Sequence, residues 1–188
     1  MKVSIIGTAG KRDDAPRMSL SLYKKMVRTA ESWIKGRVDS WRQVHLVSGG
    51  AAWADHVAIS LYKLHPEARL TLHLPCPWDH AHQKFLDSGE RDFKLNPGGT
   101  SNFYHREFSD KVGSDTLRGI HEVVSSGAPE VTIVEGKGLF ERNAKVAKSE
   151  VILAFTFGVG DTPKDGGTRY TWDLASHAER VHFSLVGM

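Results

Sequence analysis

Three glycine-bearing turns each follow a short apolar run: Gly7-Thr8-Ala9-Gly10, Ser48-Gly49-Gly50-Ala51 and Gly166-Gly167-Thr168, the last preceded by Asp165. Glycine lets backbone N–H groups approach an anion closely, and a helix opening directly behind the turn adds partial positive charge. Near the start of a fourth helical segment stand Arg142 and Asn143. The guanidinium there can grip a phosphate with two parallel donors. Asp55 sits behind Gly49-Gly50, where a carboxylate either complements the helix dipole or hydrogen-bonds ligand hydroxyls. Together Gly7, Thr8, Ala9, Gly10, Ser48, Gly49, Gly50, Asp55, Arg142, Asn143, Gly166, Gly167 and Thr168 form a candidate seat for a phosphorylated ligand. Against this stands a steric reading, because loops between strand and helix often carry glycine to turn tightly and nothing more.

Other reactive residue types make weaker constellations. His80 and His82 lack a nearby cysteine or a third firm ligand, so no metal site is expected. Cys76 lies between Pro75 and Pro77 with no identifiable histidine partner, and it reads as a small buried residue rather than a nucleophile. Trp33, Trp41 and Trp172 read as packing residues.

The elements that must position these groups alternate between strand and helix. Val3–Ile6, Val44–Val47, Arg69–Leu74, Val131–Val134, the wholly apolar Val151–Phe155 and His182–Val186 read as strands. Apolar residues at three- and four-residue steps mark helices from Met18 to Gly36, from Trp53 to Leu64, from Leu139 to Lys148 and from Thr168 to Arg180. Between about residues 79 and 130 the pattern weakens. A helix near Ala81–Leu86, a loop at Asn96–Gly99 and a helix from about Ser114 to Val124 are expected, as an elaboration of a single domain. The alternation predicts an α/β fold, with a mostly parallel, doubly wound sheet covered by helices on both faces.

With 188 residues, 40% apolar and 25% charged, the chain suits one folded domain and excludes disorder. No apolar run is long enough to span a bilayer. The first residues read as strand rather than secretion signal, and the single cysteine excludes an internal disulfide, so a cytoplasmic setting is expected. A net charge of +3 and a pI near 9.0 suit an anionic ligand. Nucleic acid is a weaker alternative, for which Arg142, Lys145 and Lys148 near one helical stripe are suggestive.

Read as a set, Gly49-Gly50-Ala51-Ala52-Trp53-Ala54-Asp55-His56, Pro75-Cys76-Pro77-Trp78, Arg142-Asn143, Val151–Phe155 and Gly167-Thr168-Arg169-Tyr170-Thr171-Trp172-Asp173-Leu174-Ala175 resemble the SLOG superfamily. The nearest likeness is to its YspA/YpsA-type branch, related to DprA and the LOG phosphoribohydrolases. The resemblance covers about residues 1–78 and 131–188. It implies a Rossmann-like fold and a nucleotide or nucleotide-derived ligand over the C-terminal edge of the sheet, with no further cofactor required. Two departures matter. Trp53 replaces a glycine, either blocking phosphate approach or offering a stacking surface, and Thr171 stands where LOG enzymes carry their glutamate. The loss of that acid/base group favours a sensing or sequestering module over a nucleotide hydrolase; DprA-like binding of single-stranded DNA is a third possibility. The expected partner is a small nucleotide-like molecule, with a homo-oligomer left open and no membrane.

Overall fold

The computed structural model describes residues 1–164 and 166–188, so Asp165 of the third glycine turn lies outside the described residues. The chain opens with β1 (Lys2–Gly7), a short 3-10 segment (Arg12–Arg17) and α1 (Leu20–Lys35). Ser19 caps α1 by accepting from Leu22 N–H, and Leu22, Met26, Ala30 and Ile34 line its buried face at four-residue steps. There follow β2 (His45–Ser48), α2 (His56–Leu64) and β3 (Arg69–Leu74). After a central elaboration come β6 (Val131–Glu135), α5 (Leu139–Val146), β7 (Val151–Thr156), α6 (Gly166–Leu174) and β8 (Glu179–Ser184).

Among the described residues the main sheet has six parallel strands in the order β6-β3-β2-β1-β7-β8. The path starts in the middle at β1, moves outward through β2 and β3 to β6, then crosses back to β7 on the other side of β1. The direction of winding therefore reverses between β1 and β7. All six residues of β7 are buried, as a strand covered on both faces requires. One face packs Val3, Ile5, Leu46, Leu70, Leu72 and Leu153 against α1 and α2 and the helices of the elaboration. The opposite face packs Ile6, Val47, Ile152 and Ala154 against Val146 and Ala147 near the end of α5 and Trp172 and Ala175 of the α6 segment. The fold is a Rossmann-like doubly wound α/β sheet, as the alternation of elements predicted. None of its helices among the described residues is long and apolar enough to cross a membrane.

The elaboration differs from the sequence expectation. In place of a helix near Ala81–Leu86 the chain forms an antiparallel hairpin of β4 (Trp78–Asp79) and β5 (Lys84–Phe85). Trp78 and Phe85 pack edge to face across it at 5.0 Å, and the Asn102 side chain hydrogen-bonds both Phe85 N–H and Phe85 C=O. Asn96–Gly99 is a helix start, not a loop. Asn96 caps α3 (Pro97–Val112) by accepting from Gly99 N–H at 2.8 Å, and Pro97 takes a first-turn position where its missing N–H costs nothing. The helix α4 (Thr116–Val124) falls where expected, capped by Asp115. Two boundaries also move. The helix read from Trp53 begins at His56, because Trp53 occupies a turn with φ of 62°. The last helix ends at Leu174 rather than Arg180, since Glu179 and Arg180 pair with Val151 and Ile152 in the edge strand β8.

Candidate functional site

In open α/β sheets the crevice outside the C-terminal strand ends, at the point where winding reverses, is the usual ligand position. Here that point lies between the ends of β1 and β7, and several of the residues read from sequence meet there. Thr8 N–H donates to Phe155 C=O at 2.9 Å, and Thr168 Oγ1 donates to Gly7 C=O at 2.8 Å, so the start of α6 is tied to the end of β1. Gly7 is sterically required, since a Cβ there would collide with the Phe155 carbonyl and lie 2.7 Å from Ala54 Cβ. Asn143 Nδ2 reaches Gly167 C=O at 3.4 Å, which joins the second turn of α5 to the start of α6. Gly166 opens α6.

The first turn is held from within. Thr8 Oγ1 donates to Asp14 at 2.6 Å and accepts from Gly10 N–H, while Ala9 spans the half-buried bend between them. Gly10 lies so close to the Trp53 indole that a Cβ would stand 2.7 Å from its Nε1. Trp53 is 2% exposed and packs on Phe108 at 4.2 Å. Buried in this way it offers no stacking face to a ligand; it is a core residue held in the left-handed backbone region, with φ of 62°.

The second turn carries the strongest electrostatics. Ser48 Oγ donates to Asp55 C=O and accepts from Gly50 N–H, and Gly50 C=O faces the His105 ring at 3.0 Å. Arg142 is 8% exposed. Its Nη1 donates to Gly49 C=O at 2.8 Å and lies 3.4 Å from Asp55 Oδ2, and its Nε is buried without a partner among the described residues. Burial pushes the Asp55 carboxyl above its ordinary value, while Arg142 and the N–H groups of Ala51 and Gly49 act against that shift. A Cβ at Gly49 would run into the Arg142 side chain and stand 2.7 Å from Asp55 Oδ2, so this glycine admits the pair.

The sequence reading joined Arg142 and Asp55 to one ligand but not to each other. Glu141 and Asp173 are the carboxylates nearest Arg142 and Gly167-Thr168 in sequence, yet neither meets the arginine. Those two instead pair with Lys145 and Arg169 on the surface, and the inward-facing Arg142 takes Asp55. For the same reason Arg142, Lys145 and Lys148 do not share one exposed stripe. Thr171 is buried, and its Oγ1 donates to Gly167 C=O at 2.9 Å. Cys76 is buried as read, its thiol pushed up to about 11 chiefly by burial.

Lys11 was missed, because a polar stretch before Pro16 reads as plain loop. It is exposed as a residue, and its ammonium stands over the Tyr104 ring at 5.1 Å. It is held below its ordinary value first by desolvation, then by the like charges of Arg142 and Arg12. Of the carboxylates at this edge, Asp55 faces Arg142 and Asp14 accepts from Thr8. Two adjoining cavities, of about 400 and 430 Å³, open elsewhere, between α1, α2 and α4 around Tyr23, Ser60 and Lys63. None of the residues read as a ligand seat lines them.

Fold and edge together define an α/β protein whose glycine turns and one buried arginine converge at the sheet's switch point. No family model matches the chain, and no solved structure matches it. The chain belongs to the same family as uncharacterized protein R261 of Acanthamoeba polyphaga mimivirus, to which it is 30% identical over 188 residues, covering 98% of this chain and 96% of that one.

Proposed function

We propose that the protein binds a phosphorylated, nucleotide-like ligand over the C-terminal edge where β1 and β7 part, and that it senses or sequesters this ligand rather than turning it over. The observation that carries this reading is Arg142: a buried arginine with an unpartnered Nε among the described residues, close enough to Lys11 for the two like charges to oppose each other. Buried charge is costly unless paired, and the one carboxylate that Arg142 meets, Asp55, stands 3.4 Å away. A phosphate would supply negative charge there, and the first-turn N–H groups of α6 have no acceptor inside their own helix. The resemblance to SLOG domains points to the same class of ligand. A cytoplasmic setting goes with it, Cys76 being the single cysteine in the sequence.

Glycosidic cleavage of the LOG type relies on a carboxyl group free to move a proton. Thr171 offers none, and Asp55 is tied to Arg142. Thermal melting with inorganic pyrophosphate, AMP, ADP, NAD and cyclic AMP tests the binding reading. At least one should raise the melting temperature by the linkage expected at about a hundred times its Kd, ~2.7 kcal/mol. If none does at millimolar concentration, the reading is wrong. Incubation with AMP should release no adenine; release at ordinary enzymatic rates would move the protein to the hydrolase class.

A further inference from the structure

We propose that Phe140 and Tyr170 form the seat for the nucleobase of that ligand, an assignment that rests on the anion-site reading above. The two rings lie edge to face, 5.5 Å apart at 87°, and they remain 52% and 40% exposed. Large aromatic rings usually bury most of their apolar surface, so an exposed pair locked in one geometry is a prepared contact surface. Its place in the fold ties it to the phosphate edge. Phe140 stands in the first turn of α5, three residues before Asn143, and Tyr170 lies three residues after Gly167 in α6. Asn143 and Gly167 touch each other, so both rings flank the junction of the two helices, Phe140 in the turn before it on α5 and Tyr170 in the turn after it on α6. Three residues span about one helical turn, roughly 4.5 Å along the axis. A ligand whose phosphate caps the start of α6 would therefore have its base within reach of the rings.

Other occupants fit less well. A single-stranded nucleic acid needs a basic track for its backbone. The charges flanking the pair are instead balanced, Lys145 with Glu141 at 2.6 Å and Arg169 with Asp173 at 2.9 Å. A second copy of the chain would need on the order of 1,000 Å² of buried surface. Two half-exposed rings between neutral ion pairs fall short of that. A planar, uncharged base stacking on an aromatic ring matches what the surface presents.

Calorimetric titration with two probes, ADP and inorganic pyrophosphate, separates this assignment from the anion site itself. The wild-type chain should bind both, ADP more tightly. The Phe140→Ala, Tyr170→Ala double variant should lose about tenfold or more of its affinity for ADP and keep pyrophosphate within about twofold, in line with stacking on aromatic side chains. Tyr170→Phe should retain the affinity for ADP. Binding of both probes with no loss for ADP in the double variant overturns the base seat and leaves the anion site standing. So does an equal loss on both probes with an unchanged melting temperature. If the wild-type chain binds neither probe, the anion site falls and the base seat with it. Sedimentation of the same proteins tests the alternatives: a wild-type dimer that the double variant dissolves, or an oligothymidine complex that it abolishes, assigns the rings to those partners instead.

Discussion

At the scale of single residues, the Arg142–Asp55 pair governs what a substitution at the edge will do. An exposed arginine in a surface ion pair could be removed at ~0–1 kcal/mol. Arg142 is buried, and truncating it strands the Asp55 carboxyl in the interior. Arg142→Ala should therefore lower stability to urea by roughly 3–5 kcal/mol, the usual cost of breaking a buried pair from one side. Adding Asp55→Asn should recover part of that loss, so the two changes together cost less than their sum. If Arg142→Ala costs under ~1 kcal/mol, the pair does not hold the edge together. Arg142→Lys should keep part of the stability but not the two-armed grip on an anion, which pyrophosphate titration would register.

At the scale of elements, short polar residues join segments that hydrophobicity alone leaves unconnected. Asn96 caps α3 and also holds the preceding loop, through Ser88 N–H, Asp87 Oδ1 and Glu90 C=O. Asn96→Ala should cost about 2 kcal/mol or slightly more in thermal unfolding, at the upper end for a helix cap because the loop bonds are lost with it. A loss under ~0.5 kcal/mol would show that the loop stands without it. Thr168 joins α6 to β1 through the Gly7 carbonyl. Thr168→Val keeps the shape and removes the donor, so it should cost about 1 kcal/mol and speed amide exchange in the first turn of α6. Unchanged exchange there would place the anchoring of α6 elsewhere.

At the scale of the whole molecule, buried histidines set the response to acid. His56 and His105 are pushed down to about 3 and about 4, foremost by burial, and both sit in one polar network behind the second glycine turn. His73, on the face covered by α5, is held near 4 by partial burial and by nearby cations. Their folded values lie below the unfolded value of 6.5, so between these limits the unfolded chain binds more protons. Stability is therefore full above about pH 6.5 and falls as pH drops toward 4, by roughly 1.4 kcal/mol per unit for each fully buried ring. Urea unfolding at pH 7 and pH 5 should show this, with roughly two to three protons taken up by these rings on unfolding at pH 5. A flat profile between those values would mean that the rings are already charged in the folded chain.

The order of strands and helices was legible in the sequence, because a sheet buried on both faces demands apolar runs and its covering helices demand apolar stripes. The glycine turns were legible for a similar reason, since close backbone approach tolerates few other residues; Gly7 and Gly49 both fill that role. The hairpin at Trp78–Phe85 and the start of α3 at Pro97 were not, because two-residue strands carry no period and an Asn-Pro-Gly-Gly run resembles a loop until Asn96 is seen to cap it. Nor could spacing reveal that Arg142 meets Asp55 across 87 positions of chain, or that Lys11 comes near enough to Arg142 for their charges to oppose each other. Those meetings depend on which strand ends the sheet order sets side by side. Residue types at the edge were thus determined locally, while their pairing and their burial were decided by the tertiary structure.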